Sequence, residues 1–65
     1  MISKESAITK EFVKKIYEAT HKSSYIQHAL RMIKNEENMQ KIIDYLEKKP
    51  DANWQDIEYQ ILIII

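Results

Sequence analysis

The chain of 65 residues contains no cysteine and no glycine, and only one proline. Without cysteine there is no disulfide framework, no thiolate zinc site and no cysteine nucleophile, whereas small secreted domains usually depend on such crosslinks or metals. We therefore expect a cytoplasmic protein. The absence of glycine excludes glycine-dependent hairpin turns, P-loops and dinucleotide-binding loops. An all-helical chain needs these loops least.

The sequence also has no excess of either charge and no long apolar run. Ten Lys and Arg residues balance ten Asp and Glu residues, which argues against a polycation that coats nucleic acid. The longest apolar run covers five residues, 61–65, whereas a membrane-spanning helix needs about 20 and the core of a signal peptide about 7 to 15. We expect no membrane partner and a single helical domain over residues 1–65.

Apolar residues recur at helical spacing along the chain, which predicts an all-α fold, a small bundle of three to four short helices. The first helix is predicted over about 6–20, with apolar residues Ile8, Phe12, Val13, Ile16, Tyr17 and Ala19 along one side. A second helix is predicted from Tyr25 to about Lys34, where Ser24 and Gln27 match a capping box. Its apolar residues span a wide arc, so we expect this helix to be the most buried.

A third helix is predicted from about Glu36 to Lys48, after a break in the apolar pattern at Asn35. Pro50 ends it, because the residue before a proline avoids the helical region. Its apolar stripe is narrow, with Tyr45 on the flank, and consists of Met39, Ile42, Ile43 and Leu46.

A fourth helix is predicted after Asn53, which is placed as its N-cap with Asp56 three residues on. One face of this helix carries Trp54, Ile57, Ile61 and Ile64. The run 61–65 is apolar on every side and rich in β-branched residues, so an extension of the helix and a short strand are both open.

Few residues of the sequence indicate a catalytic or metal-binding site. The Glu18-x-x-His21 spacing matches the Glu-x-x-His element of di-iron helical bundles, but it occurs once here and twice in those bundles. The other ligands that a metal site needs are not evident in the sequence. The sequence carries no nucleophile elbow, zinc-protease or P-loop motif. A chain this short buries only about 60% of its unfolded surface, which leaves little volume for a cleft. We expect no metal, no cofactor and no enzymatic activity.

Residues 42–57 combine an amphipathic helix, a proline-bearing turn and a second amphipathic start, and they resemble the opening helix-turn-helix of winged-helix regulators. In that family a glycine-containing turn and a recognition helix follow and enter the major groove, and the present sequence has neither after residue 57. An ordinary helical hairpin gives the same pattern. The resemblance implies, as an alternative, a small DNA-binding transcriptional regulator.

Charge is unevenly divided along the chain. Residues 1–34 hold seven basic and three acidic residues, a net charge of +4, and residues 35–65 hold three basic and seven acidic residues, a net charge of −4. The two halves either attract each other within the fold or favour docking to a charged partner or a second copy. If the basic half contacts DNA, the phosphate-binding residues are predicted to be Lys10, Lys14, Lys15, Lys22 and Arg31.

The apolar run 61–65 aggregates if it is left exposed, so it must be covered by the core, by a second copy or by another protein. Since a 65-residue domain without crosslinks gains little stability from its own core, we expect a homo-oligomer, first a homodimer, or contact with another protein. The predicted function is a non-enzymatic protein–protein interaction module, a small regulator or inhibitor of a partner protein. The predicted contact residues are large aromatic and aliphatic groups: Trp54, Tyr59, Ile61, Leu62, Ile63, Ile64 and Ile65.

Overall fold

Four helices follow one another through short connections in the computed structural model, which describes residues 7–65. They are α1 (Ala7–Thr20), α2 (Ser23–Met32), α3 (Glu36–Lys48) and α4 (Trp54–Ile64). Within this range there is no strand. The predicted all-α bundle is confirmed, and the predicted first residue of the first helix, Ser6, lies outside the described residues.

The helices enclose one apolar core. α1 packs against α2 and α3, and α4 packs against the same two helices, which gives a globule measuring 36 × 23 × 20 Å. No polar or charged side chain of residues 7–65 is buried, so burial of apolar surface is the main stabilising term. The buried residues are Phe12, Ile16, Ala29, Ile33, Met39, Ile42, Ile43, Leu46, Ala52, Ile57 and Ile61.

α3 has the limits and the buried stripe that its sequence predicts. The Asn35 side chain accepts a hydrogen bond from the Asn38 backbone N–H at 2.8 Å, which satisfies one of the free donors at the helix start. Acidic residues in the first turn and Lys48 in the last suit the helix dipole. All four residues of the predicted stripe are buried.

α4 begins at the predicted cap and continues through the apolar run. The Asn53 side chain accepts a hydrogen bond from the Asp56 N–H at 2.9 Å. The helix extends to Ile64, and the Ile65 N–H donates to the Ile61 carbonyl at 2.9 Å. Of the two conformations left open for 61–65, the helix is the one present. The predicted inner face is confirmed: two of its residues are fully buried and the other two, Trp54 and Ile64, are partly buried against the core.

α2 differs from its prediction in two ways. It begins at Ser23, and its N-cap residue, Lys22, makes no side-chain capping bond, so the predicted capping box of Ser24 and Gln27 is wrong. The two-residue connection from α1 starts the helix earlier and places Ser24 inside its first turn. The expectation that α2 is the most buried helix is also wrong: it buries only Ala29, whereas α3 buries four residues. The apolar residues of α2 cover a wider part of the helix surface than α1 and α4 contact. The apolar residues at the edges of this surface therefore remain partly exposed.

The connection between α1 and α2 contains a residue in the left-handed region, His21, with φ of 60°. Its N–H donates to the Tyr17 carbonyl at 2.7 Å, which ends α1 in the manner usually reserved for glycine. Histidine tolerates this region better than most residues. Tyr17 was predicted on the apolar side of α1, but its side chain is 48% exposed.

Candidate protein-interaction surface

α4 is apolar on two opposite faces. Ile57 and Ile61, four residues apart, are fully buried on the inner face. Tyr59, Leu62 and Ile63 have the i, i+3, i+4 spacing that brings side chains together on one side of a helix, and they are 63%, 57% and 60% exposed. Ile65 directly follows the helix and is 61% exposed. We call Tyr59, Leu62 and Ile63 the outer α4 patch; Ile65, four residues after Ile61, lies in line with the inner face.

The seven predicted contact residues therefore fall into three groups. The three residues of the outer α4 patch and Ile65 are exposed, and Trp54 and Ile64 are partly buried. The prediction of Ile61 as a contact residue is corrected, because its side chain is fully buried in the core and offers no surface to a partner. Successive residues of a helix point about 100° apart, so an unbroken apolar run must divide between the inner and outer faces.

Trp54 contributes to the packing of α4 against α2. Its ring stacks on Tyr25 with centroids 4.9 Å apart and an angle of 8° between the rings. His28 meets the same indole edge to face at 5.4 Å, and its Nε2 lies 3.9 Å from the Glu58 carboxylate. Trp54 thus contributes first to internal packing. Sequence analysis missed this cluster, because no local spacing links residues of α2 with residues of α4.

The five basic residues predicted to contact DNA do not share one environment. Lys10, Lys14, Lys22 and Arg31 are exposed. The Lys22 ammonium also lies 5.9 Å above the Tyr25 ring. Lys15 is half-buried, and its ammonium lies 3.8 Å from Glu11 and 3.9 Å from Glu47. These carboxylates leave Lys15 less available for a phosphate than the other four.

Two charged side-chain contacts join the basic and acidic halves within residues 7–65. One is the Lys15–Glu47 pair between α1 and α3, and the other is the His28–Glu58 contact between α2 and α4, which is ionic only when His28 is protonated. Among residues 7–65 these are the ion pairs that connect different helices; Lys4 and Glu5 lie outside this range. Each of these two contacts involves at least one exposed side chain and is worth at most about 1 kcal/mol.

The part of the chain that the structure describes contains no pocket and no cluster of three or more metal-ligating side chains. Across residues 7–65 no helix combines the length and apolar character that crossing a bilayer requires. Residues 42–57, which resemble the winged-helix hairpin, form the second half of α3, the connection and the start of α4. Comparison with protein-family models, curated proteins and solved structures gave no match.

Proposed function

We propose that this protein is a small, non-enzymatic protein-interaction module that binds a protein through the outer α4 patch. The observation that carries the proposal is the exposure of Tyr59, Leu62 and Ile63, each about 60%, on a helix whose opposite face is already buried in the core. Contiguous exposed apolar side chains mark interaction sites on soluble proteins. Tyrosine is also among the residues that contribute most at protein interfaces.

The composition of α4 supports the same function. Residues 59–65 contain no charged side chain, so contact with this surface requires no desolvation of a charge. The charged residues of α4, Asp56 and Glu58, precede this stretch, and Glu58 lies against His28. We propose that the domain acts by covering a surface on its partner, as a small regulator or inhibitor does. The proposal includes the cytoplasmic location expected from the cysteine-free sequence.

A photoreactive phenylalanine analogue in place of Tyr59 tests the proposal in living cells. We expect light to produce covalent adducts with protein at position 59 and few or none when the same analogue replaces Tyr17. Tyr17 is the matched control, because it is an exposed tyrosine on α1, outside the patch. Adding Leu62→Lys should remove the adducts from position 59. Equal yields at positions 59 and 17 would contradict the proposal.

DNA binding is the second candidate function, favoured by the exposure of Lys10, Lys14, Lys22 and Arg31, which make no ion pair within residues 7–65. Each phosphate neutralised by such a residue adds about −0.9 to the slope of log affinity against log salt. A gel-shift titration with duplex DNA at low and raised salt tests this. A salt-sensitive complex weakened by Lys10→Gln and Lys14→Gln supports it, and no complex at low salt excludes it.

A further inference from the structure

We infer that the exposed face of α2 binds duplex DNA, with the helix lying in the major groove. The inference rests on DNA binding, the second candidate function, and names the helix that makes the contact. Of the four helices in residues 7–65, α2 alone has no acidic side chain. The acid-free stretch covers residues 19–35 and contains two histidines and the basic residues Lys22, Arg31 and Lys34. A surface of this charge attracts the phosphate backbone.

The side of α2 that points away from the core is polar. Ala29 is fully buried, and Ser24, Gln27 and Arg31 lie on the opposite side of the helix, at i, i+3 and i+7 spacing. All three are exposed. Their side chains make no hydrogen bond or ion pair with residues 7–65. Their hydrogen-bonding groups are therefore available to a ligand.

An acidic side chain contacts α2 at one edge only within the described residues. Glu58 of α4 lies 3.9 Å from His28, and His28 also packs edge to face on Trp54 of α4. This contact belongs to the edge of α2 that faces α4, so it leaves the side with Gln27 and Arg31 free of negative charge.

Glutamine and arginine are residue types that read bases directly. In the major groove an arginine donates two hydrogen bonds to guanine, a glutamine pairs with adenine, and a serine contacts either base. Gln27 and Arg31 are four residues apart, which is about 6 Å along the helix axis. Base pairs follow one another at about 3.4 Å. The two side chains can therefore contact base pairs one or two steps apart.

Basic residues at both ends of α2 suit the phosphates on either side of the groove. Lys22 is the N-cap residue, and Lys34 lies two residues after Met32, the last residue of the helix. Both lysines are exposed. The ten residues of α2 span about 15 Å, slightly more than the width of the major groove, about 12 Å. A helix laid across the groove therefore brings its two ends close to the phosphate strands.

The composition of this face favours a nucleic acid over a protein as its partner. No large apolar side chain of α2 is exposed, and those exposed elsewhere in residues 7–65 lie on α1, on α4 or at residue 65. The centre of a protein interface is depleted in charge and enriched in aromatic groups, whereas protein–DNA interfaces are more polar and more positively charged. The α2 face and the outer α4 patch thus suit different partners.

Selection of bound duplexes from a pool of random-sequence DNA tests base reading by the full chain. The unaltered chain should enrich a common short sequence, and Gln27→Ala should lose the preference at one position of it. A pool that stays random after selection, or a preference that Gln27→Ala and Arg31→Ala both leave unchanged, would overturn the inference.

Fluorescence anisotropy with the enriched duplex measures the affinity of each variant. Arg31→Gln should weaken binding at least about fivefold, the lower end of the discrimination that one such contact provides. Lys22→Gln and Lys34→Gln should each reduce the slope of log affinity against log salt by about 0.9. All three positions are exposed, so the variants should fold, and circular dichroism checks this.

Lys41→Gln is the matched control, because it removes the same charge from an exposed position on α3. It should bind almost as tightly as the unaltered chain. Equal losses for Arg31→Gln and Lys41→Gln would overturn the inference, since binding would then depend on net charge alone. If Lys10→Gln and Lys14→Gln weaken a complex that the α2 variants leave intact, DNA binding stands and α2 is excluded as its site. Absence of any complex at low salt excludes both.

Discussion

α3 and α4 begin in the same way and present different outer surfaces. Each starts after an asparagine whose side chain accepts a backbone N–H three residues on, Asn35 at 2.8 Å and Asn53 at 2.9 Å. Each buries an apolar inner face in the shared core. The exposed side of α3 is mainly charged and consists of Glu36, Glu37, Gln40, Lys41, Asp44, Glu47 and Lys48. The exposed side of α4 carries Tyr59, Leu62 and Ile63.

The comparison separates what folding requires from what a contact surface requires. A cap and an inner apolar face are enough to build either helix into the bundle, so the outer face can differ without changing the fold. Charged outer residues keep α3 hydrated. Apolar outer residues on α4 contribute little to the folded monomer, which is why we connect them with binding.

The largest expected effect comes from truncating the inner faces. Ile61→Ala in α4 should lower the free energy of unfolding by about 2 to 5 kcal/mol, because it leaves a cavity at a fully buried site. The total free energy of unfolding of a 65-residue domain is roughly 3 to 10 kcal/mol. Denaturant unfolding followed by circular dichroism, at a concentration too low for self-association, measures the loss.

Leu62→Ala is the matched control for that change, since it removes a similar side chain at the neighbouring but 57% exposed position. Its effect on the dilute monomer should stay within about 0.5 kcal/mol. Ile42→Ala, the counterpart in α3, should resemble Ile61→Ala. Similar losses at positions 61 and 62 would remove the distinction between the two faces of α4.

The helix caps should give the next largest effect. Replacing Asn35 or Asn53 by Ala removes the oxygen that accepts the N–H three residues on, and each change should cost about 1 kcal/mol of unfolding free energy. Replacement by Asp, which keeps an acceptor, should restore most of this loss. The same denaturant titration measures both. An Ala variant as stable as the unaltered chain would show that the two caps do not stabilise their helices.

α2 lacks the cap that α3 and α4 share, and adding one sharpens the comparison. Lys22 has the extended backbone conformation of an N-cap residue, with φ of −137° and ψ of 124°, but no capping side chain. Lys22→Asn should raise the free energy of unfolding by about 0.5 to 1 kcal/mol by accepting a free N–H of the first turn. A lower denaturant midpoint of unfolding for this variant would mean that the contact between Lys22 and the Tyr25 ring stabilises the fold by more than the new cap does.

The smallest effect is expected on the charged side of α3. Glu47→Gln removes the contact with Lys15 at 3.9 Å, but the Glu47 side chain is 57% exposed. The change should lower the free energy of unfolding by less than about 0.5 kcal/mol, and less still at high salt. Titrations in low and high salt measure it. A loss comparable with that of Ile61→Ala would show that charge pairing between the halves stabilises the fold.

Prediction from sequence succeeded best where signals were local. The limits of α3 follow from the break at Asn35 and from Pro50, and the start of α4 follows from Asn53, because caps and breakers act within a few residues. It failed at α2, where Ser24 has the right spacing for a capping box but the short connection after His21 starts the helix earlier. It also did not predict which helix is most buried, since the burial of a helix depends on how many other helices pack against it.

The candidate site was predicted in part for the same reason. Large apolar residues near the end of α4 were identified, but the sequence did not separate Ile61, in the core, from Leu62, on the surface. The pairing of Trp54 with Tyr25 and His28 was not foreseen, because it joins residues far apart in the chain.

By itself, the sequence determined the helical class, the inner stripes of α3 and α4 and the two asparagine caps, since these depend on periodicity and on hydrogen bonds within one turn. Only the tertiary structure decided which side of α4 is covered, which helix is most buried and which aromatic rings meet. These outcomes depend on the packing of helices against one another. The exposed positions of Tyr59, Leu62 and Ile63 are therefore a property of the assembled bundle.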